Sequence, residues 1–388
     1  MAVVTVASGL AVLAFVTTAS TTARLNDFYT EAWPAYNAAA HGHLLQALQI
    51  GPAYVGSLVL RAPFALIPTI WGGSSRAVFF AAALPCVLVL AGFCVWLSEQ
   101  PRRNGKATTV SRLSPLVLCI FSPVIIIGLG GGHPEEALGG VLCVAAVVCA
   151  ARGKPNLAGI LVMLAVVNKS WALVAVPVVL AVMPTVSRRA IALVVTGAGA
   201  VVLLVAAAGV LGVHALSLTG GIGNIFNPPQ LLWWLGRHSW IVQKSRALIL
   251  IVAIACSLVW RLGRERDLTG PRAVPDALLL LALVLFARAA FDPWDNLYYH
   301  EPFLFALIAY EATSGRLPAL TALYSILLLL VVPLKSFLPM SYDTRALAYA
   351  CVAGPTFAWL IVRIYVPAGA WKRRLGRPWS STAVARTS

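Results

Sequence analysis

The sequence predicts an all-α, polytopic transmembrane protein, and three observations carry that prediction. Hydrophobic residues fill 60% of the 388 positions and charged residues 11%, against roughly 45–50% and about 25% in soluble domains. Apolar stretches long enough to cross a bilayer recur from one end of the chain to the other, and no polar block is large enough for a separate soluble domain. Basic residues fall in short clusters between the apolar runs: Arg102, Arg103, Lys106 and Arg112; Arg152 and Lys154; Arg188 and Arg189; Arg261, Arg264, Arg266 and Arg272; Lys372, Arg373, Arg374 and Arg377. Cytoplasmic loops of membrane proteins distribute positive charge in this way. The net charge of +16 therefore speaks of topology, and nucleic acid is not an expected partner.

Placing every basic cluster on the cytoplasmic side yields about twelve spans. They run near 2–21, 77–97, 113–129, 137–151, 156–167, 171–184, 190–213, 247–262, 276–290, 302–313, 318–334 and 344–365. Both termini are then cytoplasmic. The chain reads as one multi-pass domain over 1–372 in the plasma membrane, with a basic cytoplasmic tail over 373–388. The first segment has no basic n-region, so it reads as an uncleaved signal anchor. The segment 52–70 is apolar enough to be a further span, but it carries Arg61, Pro63 and Pro68. Counting it would also put the cluster at 102–112 outside. It reads instead as an interfacial or re-entrant helix within a large first extracytoplasmic loop. Seven cysteines lie inside apolar runs without paired spacing, the pattern of packing residues rather than of disulfides or a metal cluster.

This threading gathers carboxylates on the outer side. Asp27, Glu31, Glu135, Glu136, Asp292, Asp295, Glu301 and Asp343 are eight of the chain's 13, and most fall after span one, between spans three and four, and between spans nine and ten. Several sit beside His or Trp in very short loops, which points to a site. The segments 157–167 and 171–183 are also short, 11 and 13 residues. At 1.5 Å per residue they reach roughly 17–20 Å, less than the ~30 Å hydrocarbon core. Their basic flanks hold both outer ends on one side, so the chain must turn at Asn168, Lys169 and Ser170 below the outer surface. Non-helical backbone at that depth survives only inside protein or along a wet cavity. Lys169 must then snorkel to the interface or meet an anion, for which a bound phosphate is the preferred reading.

Three motifs bear on that site. The run Gly128, Leu129, Gly130, Gly131, Gly132 lacks the preceding strand and the Lys-Ser/Thr ending of a phosphate loop, and reads as a helix end with a tight outer turn. Pro134, Glu135 and Glu136 suit the first turn of the next helix, a capping role that stands level with ligand binding; His133 precedes the helix and has no such role. Asp292, Pro293, Trp294 and Asp295, followed by Tyr298, Tyr299, His300 and Glu301, form a dense polar group for a membrane loop. Its aromatics read equally as an interfacial belt, whereas the acids and His300 read as ligands. In the long outer loop 214–245, Trp233, Trp234, His238 and Trp240 with Arg237 and Lys244 read first as an interface helix, and second as a surface for a sugar face or lipid tail.

The order of several short pieces carries a family resemblance. They are Asn26-Asp27-Phe28-Tyr29 after the first helix, Ala38-Ala39-Ala40 with the proline-flanked apolar helix 52–68, and Gly132-His133-Pro134-Glu135-Glu136. Arg152-Gly153-Lys154-Pro155 with Leu157-Ala158-Gly159, Asn168-Lys169-Ser170-Trp171, and Asp292-Pro293-Trp294 follow. In this order they resemble the GT-C class of membrane glycosyltransferases over roughly residues 20–310. Within it the likeness is to glycosyltransferase family 87, actinobacterial polyprenyl-phosphate-mannose-dependent enzymes. The chain departs from the pattern at Gly51-Pro52-Ala53-Tyr54, where Tyr-Pro-Pro is common, and at Gly132-His133, where Gly-Gln is usual.

The resemblance implies a GT-C-like fold and an inverting, mannosyltransferase-like hexosyltransferase. Such an enzyme takes sugar from a polyprenyl-phosphate donor to a glycan or glycolipid acceptor, at the extracytoplasmic face of the lipid bilayer, in cell-envelope assembly. Asp27 maps by position to the catalytic base. Lys169, with His300, would bind the donor phosphate, and Glu31, His133, Glu136, Trp171, Asp292, Trp294 and Asp295 would line the substrate. No cofactor is expected. Asp292, Asp295 and Glu136 would hold sugar hydroxyls or a divalent cation, with the metal-free alternative preferred because the acids lie on separate loops. Two other readings stand beside this one. One is a lipid or solute transporter with Lys169 and the outer acids as a coupled ion site, which should show matched broken helices in both halves of the chain, where the sequence has one short pair. The other is a catalytically degenerate GT-C relative that scaffolds envelope assembly.

Overall fold

The computed structural model describes residues 9–11, 27–52, 54–105, 108–185, 188–210, 226, 228–263, 273–293, 297–331 and 340–366. Most of the first expected span and the whole basic tail lie outside these residues. All regular structure among them is helical. Before residue 71 lie α1 (Trp33–Ala40), α2 (Leu44–Ile50) and α3 (Val55–Ile70). Then come α4 (Ser75–Arg103), α5 (Thr109–Phe121), α6 (Pro123–Gly131), α7 (Pro134–Ala151), α8 (Pro155–Asn168), α9 (Ala175–Val182) and α10 (Arg188–Val210). The last part holds α11 (Ser245–Gly263), α12 (Ala273–Ala290), α13 (Glu301–Thr313), α14 (Ala319–Val331) and α15 (Tyr342–Tyr365).

Over their described residues, the segments expected as spans from 77–97 onward are helical, with 113–129 divided at Ser122 and 171–184 opening in a 3₁₀ turn. Among the described residues, six helices are long and apolar enough to cross a bilayer: α4, the 23-residue α5–α6 unit, α7, α11, α12 and α15. An all-helical chain with several such helices is consistent with a polytopic helical membrane protein. The segments α3, α8, Ser170–Val182 and α14 are apolar but shorter.

The bundle has an inside and a lipid-facing outside. Of the apolar stretch of α7, 89% is buried in protein, and of α12, 83%; for α11 and α15 the shares are 22% and 28%. Helix α13 is buried over all but its last residue. A helix apolar all round belongs at the centre, and α7 has the small residues that let backbones approach where lipid supplies no hydrophobic drive between helices. Gly140 shows why. A Cβ there would sit 2.9 Å from Pro302 Cα and 2.8 Å from Phe305 Cδ2, so α13 packs directly on bare α7 backbone. On the periphery, Ile251, Ile254, Leu258 and Leu262 of α11 are exposed, as lipid-facing side chains are. Helix α3 shows both faces: Leu58, Arg61, Ala65 and Thr69 are buried, while Val59, Ile67 and Ile70 are exposed.

The helices shuttle between two ends. At one, Asn104 Nδ2 donates to the carbonyls of Ala312 and Thr313, at 3.4 and 3.0 Å, and Arg261 Nη1 to those of Ala181 and Met183, at 3.1 and 2.8 Å. Helix α7 stops there at Gly153, whose φ of 68° lets Lys154 N–H reach back to the Cys149 carbonyl at 2.9 Å, a Schellman closure. The other end gathers Asp27, the turn at Gly132, the break at Lys169 and residues 297–300.

Candidate functional site

Glycine chemistry places the first residues of the site. Helix α6 ends at Gly132, with φ of 100°, a value that L side chains rarely adopt. His133 N–H then donates to the Gly128 carbonyl at 3.1 Å, closing a second Schellman turn. The glycine run is therefore a helix end. Pro134 starts α7 at its first position, and Glu135 and Glu136 occupy its first turn. Both acids are completely buried, so the positive helix end cannot be their only counterpart.

The rest of their surroundings explains the burial. The α8 helix breaks at Lys169, whose backbone is extended (φ −153°, ψ 125°) before a 3₁₀ turn over Ser170–Val174. Lys169 Nζ donates to Glu135 Oε1 at 3.2 Å and Glu136 Oε1 at 2.9 Å. Asn168 Nδ2 donates to the Glu135 carbonyl at 2.8 Å. Arg61, 1% exposed, comes within 3.4 Å of Glu135 Oε2 as a charge contact. Arg288 of α12 donates to Glu136 at 3.3 Å and to the Tyr299 carbonyl at 2.9 Å. Its guanidinium lies 4.7 Å from the Trp171 ring centre and 4.2 Å from that of Tyr299, a cation–π sandwich that shields it from lipid.

His133 joins this buried cluster to the outside. Its Nδ1 lies 2.9 Å from Glu135 Oε1 and its Nε2 2.9 Å from Asp27 Oδ2. The His133 ring stacks on Tyr298 at 4.2 Å. The Asp27 side chain is 50% exposed while that of His133 is 4%, so Asp27 is where the cluster meets solvent. Burial opposes charge on His133, but hydrogen bonds to Asp27 and Glu135 outweigh it and raise its pKa to about 9. The ring is an imidazolium at neutral pH, donating to both carboxylates.

The structure thus brings Asp27, His133, Glu136, Lys169 and Trp171 together. Glu31 sits at the fringe, accepting from Tyr54 Oη at 2.7 Å, and the Tyr54 ring lies under Lys169 Nζ at 4.7 Å. His300 is held elsewhere: its Nδ1 and Nε2 lie 3.1 and 3.2 Å from the hydroxyls of Tyr324 and Tyr349, in a buried pocket against Phe286. Asp292 accepts from Arg246 at 3.2 and 3.4 Å. Trp294 and Asp295 lie outside the described residues. Among the described residues, no group of three or more His, Cys, Asp or Glu side chains is arranged to hold a metal ion; Glu136 and Asp292 each face their own cation. Trp233 donates from Nε1 to Asp343 at 2.7 Å, tying its segment to α15 rather than to the cluster.

Sequence reasoning gave no site role to Arg61, Arg288 or Tyr54, and it left Glu135 level between capping and ligand binding and Tyr298 level between an interfacial belt and the site. A usable signal existed for the arginines, since an ionisable residue inside an apolar run marks a paired or functional position. No protein-family model matches the chain, and no curated protein or solved structure matches it.

Proposed function

We propose that this protein is an inverting glycosyltransferase of the extracytoplasmic membrane face, drawing sugar from a polyprenyl-phosphate donor. The observation that carries this reading is the position of Asp27: a half-exposed side chain hydrogen-bonded to the buried His133 ring, at the edge of a cluster that holds Lys169, Arg61 and Arg288. A general base needs hydrogen-bond reach and an ionised state. His133 holds one Asp27 oxygen at 2.9 Å and so fixes where the carboxylate points. Asp27 takes the proton of an acceptor hydroxyl as that oxygen bonds to the anomeric carbon; the bond from that carbon to the donor phosphate breaks, and the phosphate leaves with both electrons. Lys169, Arg288, Arg61 and the charged His133 outnumber Asp27, Glu135 and Glu136, so the cluster has positive charge to place behind a departing phosphate. Mannose as the sugar, a cell-envelope acceptor, twelve spans and cytoplasmic termini belong to the same proposal. The basic clusters at the opposite ends of α4, α7 and α11 support the sidedness.

The test is transfer of labelled sugar from polyprenyl-phosphate donor in membranes containing the protein. Asp27→Asn should reduce the rate by about 10²–10⁴-fold with the protein level unchanged; undiminished transfer overturns the assignment. One observation favours an ion-coupled transporter instead, the buried charge network itself. That reading predicts ion-dependent solute uptake in vesicles and no sugar transfer.

A further inference from the structure

One acid of this end remains without a role. Glu301 opens α13, its side chain is completely buried, and among the described residues neither carboxyl oxygen has a hydrogen-bond partner. It fits because position 128 is glycine: a Cβ there would fall on Glu301 Oε1, so the carboxyl lies against bare α6 backbone. The groups that face it come from every packed element. Glu136 and Glu135 come from α7, Arg288 from α12 and Lys169 from the helix break; Cys119 comes from α5, its thiol hydrogen-bonded to that of Cys94 of α4. Tyr298 Cβ closes the side toward the 297–300 turn, and Tyr324 of α14 is turned to His300. The α6 helix brings only glycine and aliphatic groups. The two cations are engaged, Lys169 by Glu135 and Glu136 and Arg288 by Glu136 and the Tyr299 carbonyl. An ionised Glu301 would be a third buried carboxylate beside two others, with no donor of its own. Desolvation and like charge both favour the neutral acid there.

We infer that Glu301 is a proton-binding site, standing as a neutral carboxylic acid at neutral pH within the charged cluster. Its proton leaves the cluster with one positive charge in excess, and loss of that proton would cancel it. If the proposed function holds, that excess is what a donor phosphate meets; the proton site itself rests only on the geometry above.

Infrared spectroscopy of the purified full chain in lipid nanodiscs tests this without any transfer assay. The carbonyl stretch of a protonated carboxyl, resolved from carboxylate and amide bands, should be present at pH 7 and missing from Glu301→Gln. Gln has the shape of the neutral acid, so the variant should melt where the wild type does, whereas Glu136→Gln strips Lys169 and Arg288 of a partner and should melt lower. No infrared difference between wild type and Glu301→Gln overturns the inference. So does a Glu301→Gln protein that melts as low as Glu136→Gln or fails to fold, because Glu301 would then be a counter-ion.

Discussion

Each end of the bundle has a glutamate bridging two cations. At one end Glu99 takes Arg102 at 3.3 Å and Arg112 at 3.1 Å, with the three side chains 36%, 60% and 28% exposed. At the other end Glu135 takes Lys169 at 3.2 Å and Arg61 at 3.4 Å, at 0%, 14% and 1% exposed. The residue types and distances nearly match; the dielectric surroundings do not. In water the attraction is screened and each partner has solvent to replace the other. In the buried cluster no water replaces a lost partner, so the charges depend on one another and on His133 and Arg288. The comparison teaches that this end is organised by mutual need, the condition under which a half-exposed Asp27 can be held in a set geometry.

Removing the bridging acid should separate the two ends most clearly. Glu135→Gln leaves Arg61 buried and without its contact, and takes a partner each from Lys169 and His133. Breaking a buried pair by removing one partner typically costs about 3–5 kcal/mol. The measurement is the unfolding midpoint of purified protein in one fixed detergent. A loss under about 1 kcal/mol would mean that water reaches the cluster and that the comparison between the ends is empty.

His133 gives the next effect, read through pH. Its folded pKa of about 9 stands above the ordinary 6.5. A raised pKa contributes stability fully below the unfolded value, and this is lost as pH rises through the folded one. At about 1.4 kcal/mol per pKa unit, the contribution is roughly 3 kcal/mol. Stability should therefore fall between pH 7 and 10, and His133→Gln should flatten that fall. A wild-type profile as flat as the variant's would show that the ring is neutral, and that Asp27 has no charged partner.

These effects meet at residues that the sequence shows unevenly. The apolar helices were legible because lipid demands long apolar runs, and the break at Lys169 because two basic flanks bracket short apolar segments. The turn at Gly132 followed from glycine chemistry. Pairing across the bundle was not legible, since it depends on which helix faces which. Arg61 counted only as a reason to doubt a span, yet from the buried face of α3 it meets Glu135. Neighbours in sequence also part company. At about 100° per residue in an α-helix, Glu135 turns to Arg61 and His133 while Glu136 turns to Arg288. At about three residues per turn in the 3₁₀ segment Leu297–His300, Tyr298 stacks on His133 whereas His300, two residues on, faces Tyr324 and Tyr349. The density of polar residues at 292–301 was visible; its division among three environments was not.

The smallest expected effect is the control that gives the first its meaning. Glu99→Gln removes the exposed bridge but leaves Arg102 and Arg112 in water, where Arg112 still has the Ser98 carbonyl at 3.4 Å. Exposed pairs are worth up to about 1 kcal/mol, and salt screens them further. The variant should unfold within that margin of the wild type, and the small difference should shrink at high salt. The Glu135→Gln deficit should persist at the same salt, because ions that cannot enter the cluster cannot screen it. If both deficits vanish together, the buried network behaves as a surface one, and burial around Lys169 ceases to explain how Asp27 is held.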